Sequence, residues 1–184
     1  MPACRRCQHR VRYVALGDSY ASGPGMPEQR ADPTGCQRST TNYPALLAQA
    51  LQVRTYIDVT CGGARADHIT VSQPVAPGPN PPQFDALTPD TDLVTVSIGD
   101  NDIDIGGLWL ACAPLGASYP RGGPCQRQTT GDDYAQRIAA TAPKVARMLD
   151  GIHQRSACDG AAGRVPAGAA THCRVLSGAP DRSR

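Results

Sequence analysis

The sequence predicts an α/β fold built on a parallel sheet, and three observations carry the prediction. Tyr13-Val14-Ala15-Leu16 and Leu93 to Ile98 are short apolar runs, each closed by a glycine and an aspartate. Strands buried on both faces and then turned read this way. Between them lie a capped helical stretch and a β-branched, alternating run, Thr55 to Thr60. The 184 residues are enough for one domain with a sizeable core, and neither an internal repeat nor a second domain is visible.

Residues 1–11 are basic, lack periodicity and read as disordered. Cys4 and Cys7 form a Cys-x-x-Cys, but no second pair stands at zinc spacing, so the pair reads as incidental. Ser19 follows the first strand, just past its carboxyl end, where open α/β sheets present reactive groups. Gly17 allows the sharp turn. Residues 20–41, rich in Gly, Pro, Ser and Thr, form a loop. Asn42 caps a helix with apolar positions Leu46, Leu47, Ala50 and Leu51, and Pro44 suits its first turn. Thr55 to Thr60 is the second strand, and Cys61 to Ala64 turns into a short helix. Five prolines in residues 74–82 make an extended loop.

Leu93 to Ile98 is the third strand. Residues 99–132 read as a long Gly/Pro loop, a length that usually serves function. Asp133 to Ile152 is a helix with Ile138, Ala142, Val145, Met148, Leu149 and Ile152 on one stripe, which Pro143 should kink or break. The domain therefore spans 12–156. From Ala157 the composition shifts to Ala, Gly, Arg and scattered Cys with no strand-like run, so 157–184 reads as a disordered tail that does not complete the sheet.

A net charge of +2, with acids and bases mixed, gives no basic stripe for nucleic acid. No apolar stretch has membrane-spanning length. Eight cysteines are many for a cytosolic chain of this size and point to an oxidising compartment. Yet the N-terminus has charges and no apolar core of a signal peptide. The expectation that reconciles the two is a misplaced start or a lost leader.

Three blocks occur in order: Gly17-Asp18-Ser19, Cys61-Gly62-Gly63-Ala64 and Gly99-Asp100-Asn101-Asp102. With the flanks Cys36-Gln37-Arg38-Ser39-Thr40 and Tyr43-Pro44-Ala45-Leu46-Leu47, the chain resembles the SGNH/GDSL hydrolases, esterases and lipases of flavodoxin-like, three-layer α/β fold, in their secreted actinobacterial branch. The resemblance covers about Arg12 to Ser156. It implies that Ser19 is the nucleophile, and that its own N–H, Gly63 and the Asn101 side-chain amide form the oxyanion hole. Each such donor is worth about 3 kcal/mol in acyl transfer. It implies disulfides Cys36–Cys61 and Cys112–Cys125, secretion, a small acyl-ester or lipid substrate and no cofactor; a monomer is the expectation. Asp100 departs from the family pattern, where a second Gly is common, and sets a carboxylate beside the oxyanion site.

The family ends in a fourth strand, a helix and an Asp-x-x-His block that supplies the general base and its orienting acid. Asp150-Gly151-Ile152-His153 spells that block, but at the end of the helix after the third strand, where it does not belong. Of the other histidines, His68 follows Gly63 by five residues and could line the cleft, though a solvated position is the reading favoured; His172 falls in the tail and His9 in the leader. The shift at Ala157 reads as a frameshift in preference to a natural linker. The expectation is a serine ester hydrolase lacking its base and weak or inactive as written, with a non-catalytic truncated remnant as the alternative. A metallophosphoesterase is the remaining reading, from acids and Asn at the ends of the first and third strands; that class needs bridging carboxylates and several histidine ligands, and no His adjoins either motif.

Overall fold

Strand β1 (Arg12–Gly17) lies at the centre of the sheet because its composition leaves no other place for it. In the computed structural model, which describes residues 11–118, 125, 131–156 and 174–177, Tyr13, Val14, Ala15 and Leu16 are all fully buried. A strand apolar at every position needs cover on both faces. β1 pairs in parallel with β2 (Thr55–Asp58) on one side and β3 (Leu93–Ser97) on the other. Beyond β3 lies β4 (Arg174–Ser177), also parallel, so the order is β2-β1-β3-β4. The helices among the described residues include the single turn α1 (Ser19–Ser22), α2 (Tyr43–Ala50), α3 (Ile105–Ser118) and the long α4 (Gly131–Arg155).

Side chains alternate across β1, and the two sets belong to two layers. Tyr13 and Ala15 pack with Ala48 of α2. Val14 and Leu16 pack with Ile69, Phe84, Val94, Val96 and, from α4, Met148 and Ile152. The sheet is thus sandwiched between helices, the three-layer α/β arrangement that the alternation of elements implied. Asn42 caps α2 as its sequence indicates, its Oδ1 accepting the Ala45 N–H at 2.9 Å. The stripe expected on α2 is less buried than it reads: Leu46 and Leu51 are exposed, and Ala48 makes the close contact.

Three expectations are corrected. Residues 99–132 are not one loop, because α3 occupies Ile105–Ser118. Gly106, Gly107 and Pro114 disguise it, but Leu108-Trp109-Leu110-Ala111 are adequate helix formers. Asp104 serves the first turn, its Oδ1 accepting the Gly107 N–H at 3.2 Å. Second, of the two outcomes expected of Pro143, a kink or a break, the break does not occur: α4 runs through it. An interior proline costs about 3 kcal/mol, whereas burying Met148 and Ile152 returns about 1.5–3 kcal/mol each, so packing wins. Ile138, at the other end of the stripe, is exposed. Third, the stretch after Ala157 does contribute a strand, β4. An edge strand needs only one paired side, and Arg174-Val175-Leu176-Ser177 is long enough to register against Leu93–Val96. Residues 1–10, and the rest of the expected tail at 157–173 and 178–184, lie outside the described residues.

Candidate active site

The end of β1 is held from three directions. Gly17 has φ of 144°, and a Cβ there would lie 2.6 Å from the Ser97 carbonyl oxygen, so only glycine fits. Its N–H donates to Gln83 Oε1 at 2.7 Å, and its carbonyl accepts from Gln83 Nε2 at 2.9 Å and from the Cys61 N–H at 3.0 Å. The Asp18 N–H then donates to the Ser97 carbonyl at 2.9 Å. The turn that carries Ser19 is therefore tied both to the chain leaving β2 and to the end of β3.

Asp18 caps α1, its Oδ1 accepting the Tyr20 N–H at 3.0 Å. The carboxyl is fully buried, and Oδ2 has no hydrogen-bond partner among the described residues. Burial pushes its pKa up from 3.8 to about 6; the Tyr20 N–H pulls the other way, while Asp100 and Asp102 add to the rise. Asp100, the residue that departs from the family pattern, thus acts on Asp18. Ser19 is half-buried as the first residue of α1, past the carboxyl end of β1.

Gly63 sits in the turn after β2 with φ of 74°. A Cβ there would meet only Gln73 Nε2, at 3.8 Å, so the space beside its backbone is open. The turn is fixed on both sides: Cys61 is bonded to Cys36, the Gly62 N–H donates to the Cys36 carbonyl at 2.8 Å, and Gln73 Nε2 donates to the Gly62 carbonyl at 2.8 Å. Asn101 follows β3, and its Nδ2 donates to the Ala64 carbonyl at 2.8 Å. An amide nitrogen carries two protons, so this bond orients the side chain and leaves the second N–H for a ligand. Next to it, Asp102 Oδ2 accepts the Ala66 N–H at 2.8 Å. The Gly63 and Asn101 loops are in direct contact, and the Ser19 turn is bonded to the strand ends from which both depart.

Both cysteine pairings expected from the resemblance are present. Cys36 and Cys61 have Cα atoms 4.2 Å apart, and Cys112 of α3 is bonded to Cys125 with Cα atoms 5.2 Å apart. Cys4 and Cys7 lie outside the described residues.

Neither described histidine is equipped as a base for Ser19. His68 Nδ1 accepts the Arg65 N–H at 3.0 Å, which leaves the proton of the neutral ring on Nε2, a donor. Burial, then Arg65, lowers its pKa. His153 is exposed near the carboxyl end of α4. Thr141 of α4 faces Gly99 at the sheet's carboxyl edge. His153 lies twelve residues further on, about 18 Å along a helix rising 1.5 Å per residue. His9 and His172 lie outside the described residues.

Sequence reasoning missed two contributors. Gln83 comes from beside the proline-rich stretch and carries no motif; only the fold shows that it is fully buried against Gly17. Lys144 reads as one more surface charge, yet its Nζ lies 2.7 Å from Asp67 and 3.4 Å from Asp102. Among the described residues no group of three or more His, Cys, Asp and Glu could hold a metal ion, and no helix is long and apolar enough to cross a membrane.

Comparison with known proteins bears on the family and the fold. Residues 15–176 match the model of the GDSL-like Lipase/Acylhydrolase family. Lipase 2 of Streptomyces coelicolor is 41% identical over 151 residues, 78% of this chain and 48% of that protein. The lipase of Streptomyces rimosus is 36% identical over 108 residues, 58% of this chain and 36% of that protein. The chain thus spans about half or less of the length of these curated relatives. Two solved structures share the fold over 91% of this chain and 58% of theirs: an extracellular lipase from Streptomyces rimosus (TM-score 0.64, 24% identity) and phospholipase A1 from Streptomyces albidoflavus (TM-score 0.66, 21% identity).

Proposed function

The chain belongs to the GDSL-like lipase/acylhydrolase family, and on that premise we propose that it carries the nucleophile and oxyanion-hole side of a serine ester hydrolase. The substrate class is a small acyl ester or a lipid ester, in keeping with the lipases it resembles. The observation that carries the reading is topological. Three motif-bearing segments leave the same edge of the sheet from the adjacent parallel strands β2, β1 and β3, and hydrogen bonds join them. Reactive sites of open α/β sheets form at that edge.

In this reading the Ser19 hydroxyl attacks the ester carbonyl, forming an acyl-serine as the alcohol departs with a proton. Negative charge gathers on the former carbonyl oxygen. The Ser19 N–H, the Gly63 N–H and the second Asn101 Nδ2–H receive it. A preset donor of this kind contributes about 3 kcal/mol to the transition state. A serine hydroxyl also needs a base, worth roughly a hundredfold to ten-thousandfold. His68 presents a donor rather than an acceptor, and His153 is far along α4. With neither described histidine placed as a base for Ser19, slow ester turnover is the expected behaviour. Two disulfides, and the extracellular lipase of Streptomyces rimosus that shares the fold, support export as its setting.

The test is hydrolysis of p-nitrophenyl butyrate by oxidised protein beside its Ser19→Ala and His153→Ala variants. Slow turnover lost in Ser19→Ala and kept in His153→Ala is the expected result. Brisk turnover lost in both would make His153 the base. Turnover lost in neither would be background hydrolysis, and the nucleophile assignment would fall.

A further inference from the structure

The contact between the Gly63 and Asn101 loops is a two-point clasp. Asn101 Nδ2 donates to the Ala64 carbonyl at 2.8 Å, and the Ala66 N–H donates to Asp102 Oδ2 at 2.8 Å. Consecutive residues of one loop thus reach alternate residues of the other, with the donor on opposite sides. One bond would leave the loops free to pivot; two fix both their spacing and their tilt. The Asp102 side chain is only 4% exposed. A buried carboxylate is costly unless paired and hydrogen-bonded, and Asp102 has a partner for each oxygen: Ala66 N–H on Oδ2 and Lys144 Nζ at 3.4 Å on Oδ1. Lys144 belongs to α4, which Met148 and Ile152 anchor in the core. The clasp is therefore referred to a rigid element, which sets donor geometry more firmly than loops alone can.

We propose that Asp102 is a positioning residue for the oxyanion hole: its carboxylate, held by Lys144, fixes the separation of the Gly63 and Asn101 donors. This rests on the serine-hydrolase reading. Asp102 touches no reacting atom; it acts through the Gly63 and Asn101 loops. Lys144 also pairs with Asp67, whose side chain is exposed, and that surface pair has no part in the clasp.

The test is the kinetics of Ser19 modification by a fluorophosphonate, resolved into the maximal rate and the apparent binding constant, with the modified residue read by mass spectrometry and folding checked by circular dichroism. Misplacing a donor by about 1 Å can cost about a hundredfold. Asp102→Ala is therefore expected to lower the maximal rate by roughly tenfold to a hundredfold with little change in binding. Asp102→Asn keeps an acceptor for Ala66 but loses the contact with Lys144, so it and Lys144→Met should show similar losses, smaller than that of Asp102→Ala, and Asp67→Asn matches the parent. Parental rates in Asp102→Ala, or equal losses in Asp102→Ala and Asp102→Asn, would overturn the positioning role while the hydrolase reading stands. Should Asp102→Ala fail to fold, a parental rate in Lys144→Met would still refute the part given to Lys144. Absence of modification at Ser19 in the parent would overturn both readings.

Discussion

Replacing Asp18 by Asn should stabilise this protein at alkaline pH and leave it nearly unchanged in acid. The carboxyl is fully buried, one oxygen lacks a partner among the described residues, and burial lifts its pKa from 3.8 to about 6. The folded chain thus binds the Asp18 proton more tightly than the unfolded chain does. Below 3.8 both states are protonated and the contribution to stability is fully present; it is lost as pH rises through about 6. At about 1.36 kcal/mol per pH unit, a rise of about two units corresponds to about 3 kcal/mol. Asn does not ionise, and its Oδ1 can still accept the Tyr20 N–H that Asp18 Oδ1 accepts. Asp18→Asn should therefore exceed the parent by about 3 kcal/mol at pH 8, roughly 6–12 °C in Tm for a chain of this size. The advantage shrinks to a few tenths of a kcal/mol near pH 3.5. Urea unfolding of both proteins across this range measures it. A variant offset that is the same at both ends, or a variant less stable at pH 8, would refute the reasoning.

Two further perturbations test what holds the site. Gly17→Ala forces a side chain into φ of 144° and 2.6 Å from the Ser97 carbonyl, so urea unfolding should show a loss of about 3 kcal/mol or more; a loss below about 1 kcal/mol would mean the turn relaxes easily. The double variant Cys36→Ala with Cys61→Ala removes a bond spanning 25 residues and should cost about 3 kcal/mol in the chain-entropy picture. Unchanged stability on reducing that bond would contradict it.

What was legible in the sequence was what depends on short-range pattern. Tyr13 to Leu16 announces a buried strand because every position is apolar, and the structure buries each one. Asn42 announces a helix start because its side chain serves a local backbone donor. The order of Ser19, Gly63 and Asn101 along the chain was readable, as was their place after three strands. α3 was hidden because Gly106, Gly107 and Pro114 mask a helical middle. β4 was hidden because a strand on the sheet's edge needs neither length nor apolar continuity. The features that shape the candidate site come from residues far apart in sequence. Gln83 meets Gly17 across 66 positions, and Lys144 meets Asp102 across 42. No local pattern encodes such pairs. The burial that shifts Asp18 is likewise a property of the packed sheet end, not of Gly-Asp-Ser as a string.

Identification of the nucleophile is the most direct test of the account. Oxidised protein is treated with a fluorophosphonate and digested with trypsin. The peptide from Tyr13 to Arg30, which holds both Ser19 and Ser22, is then fragmented. The phosphonyl mass is expected on Ser19 and is expected to disappear in Ser19→Ala. Label on Ser22 or elsewhere, or undiminished label in Ser19→Ala, would contradict it.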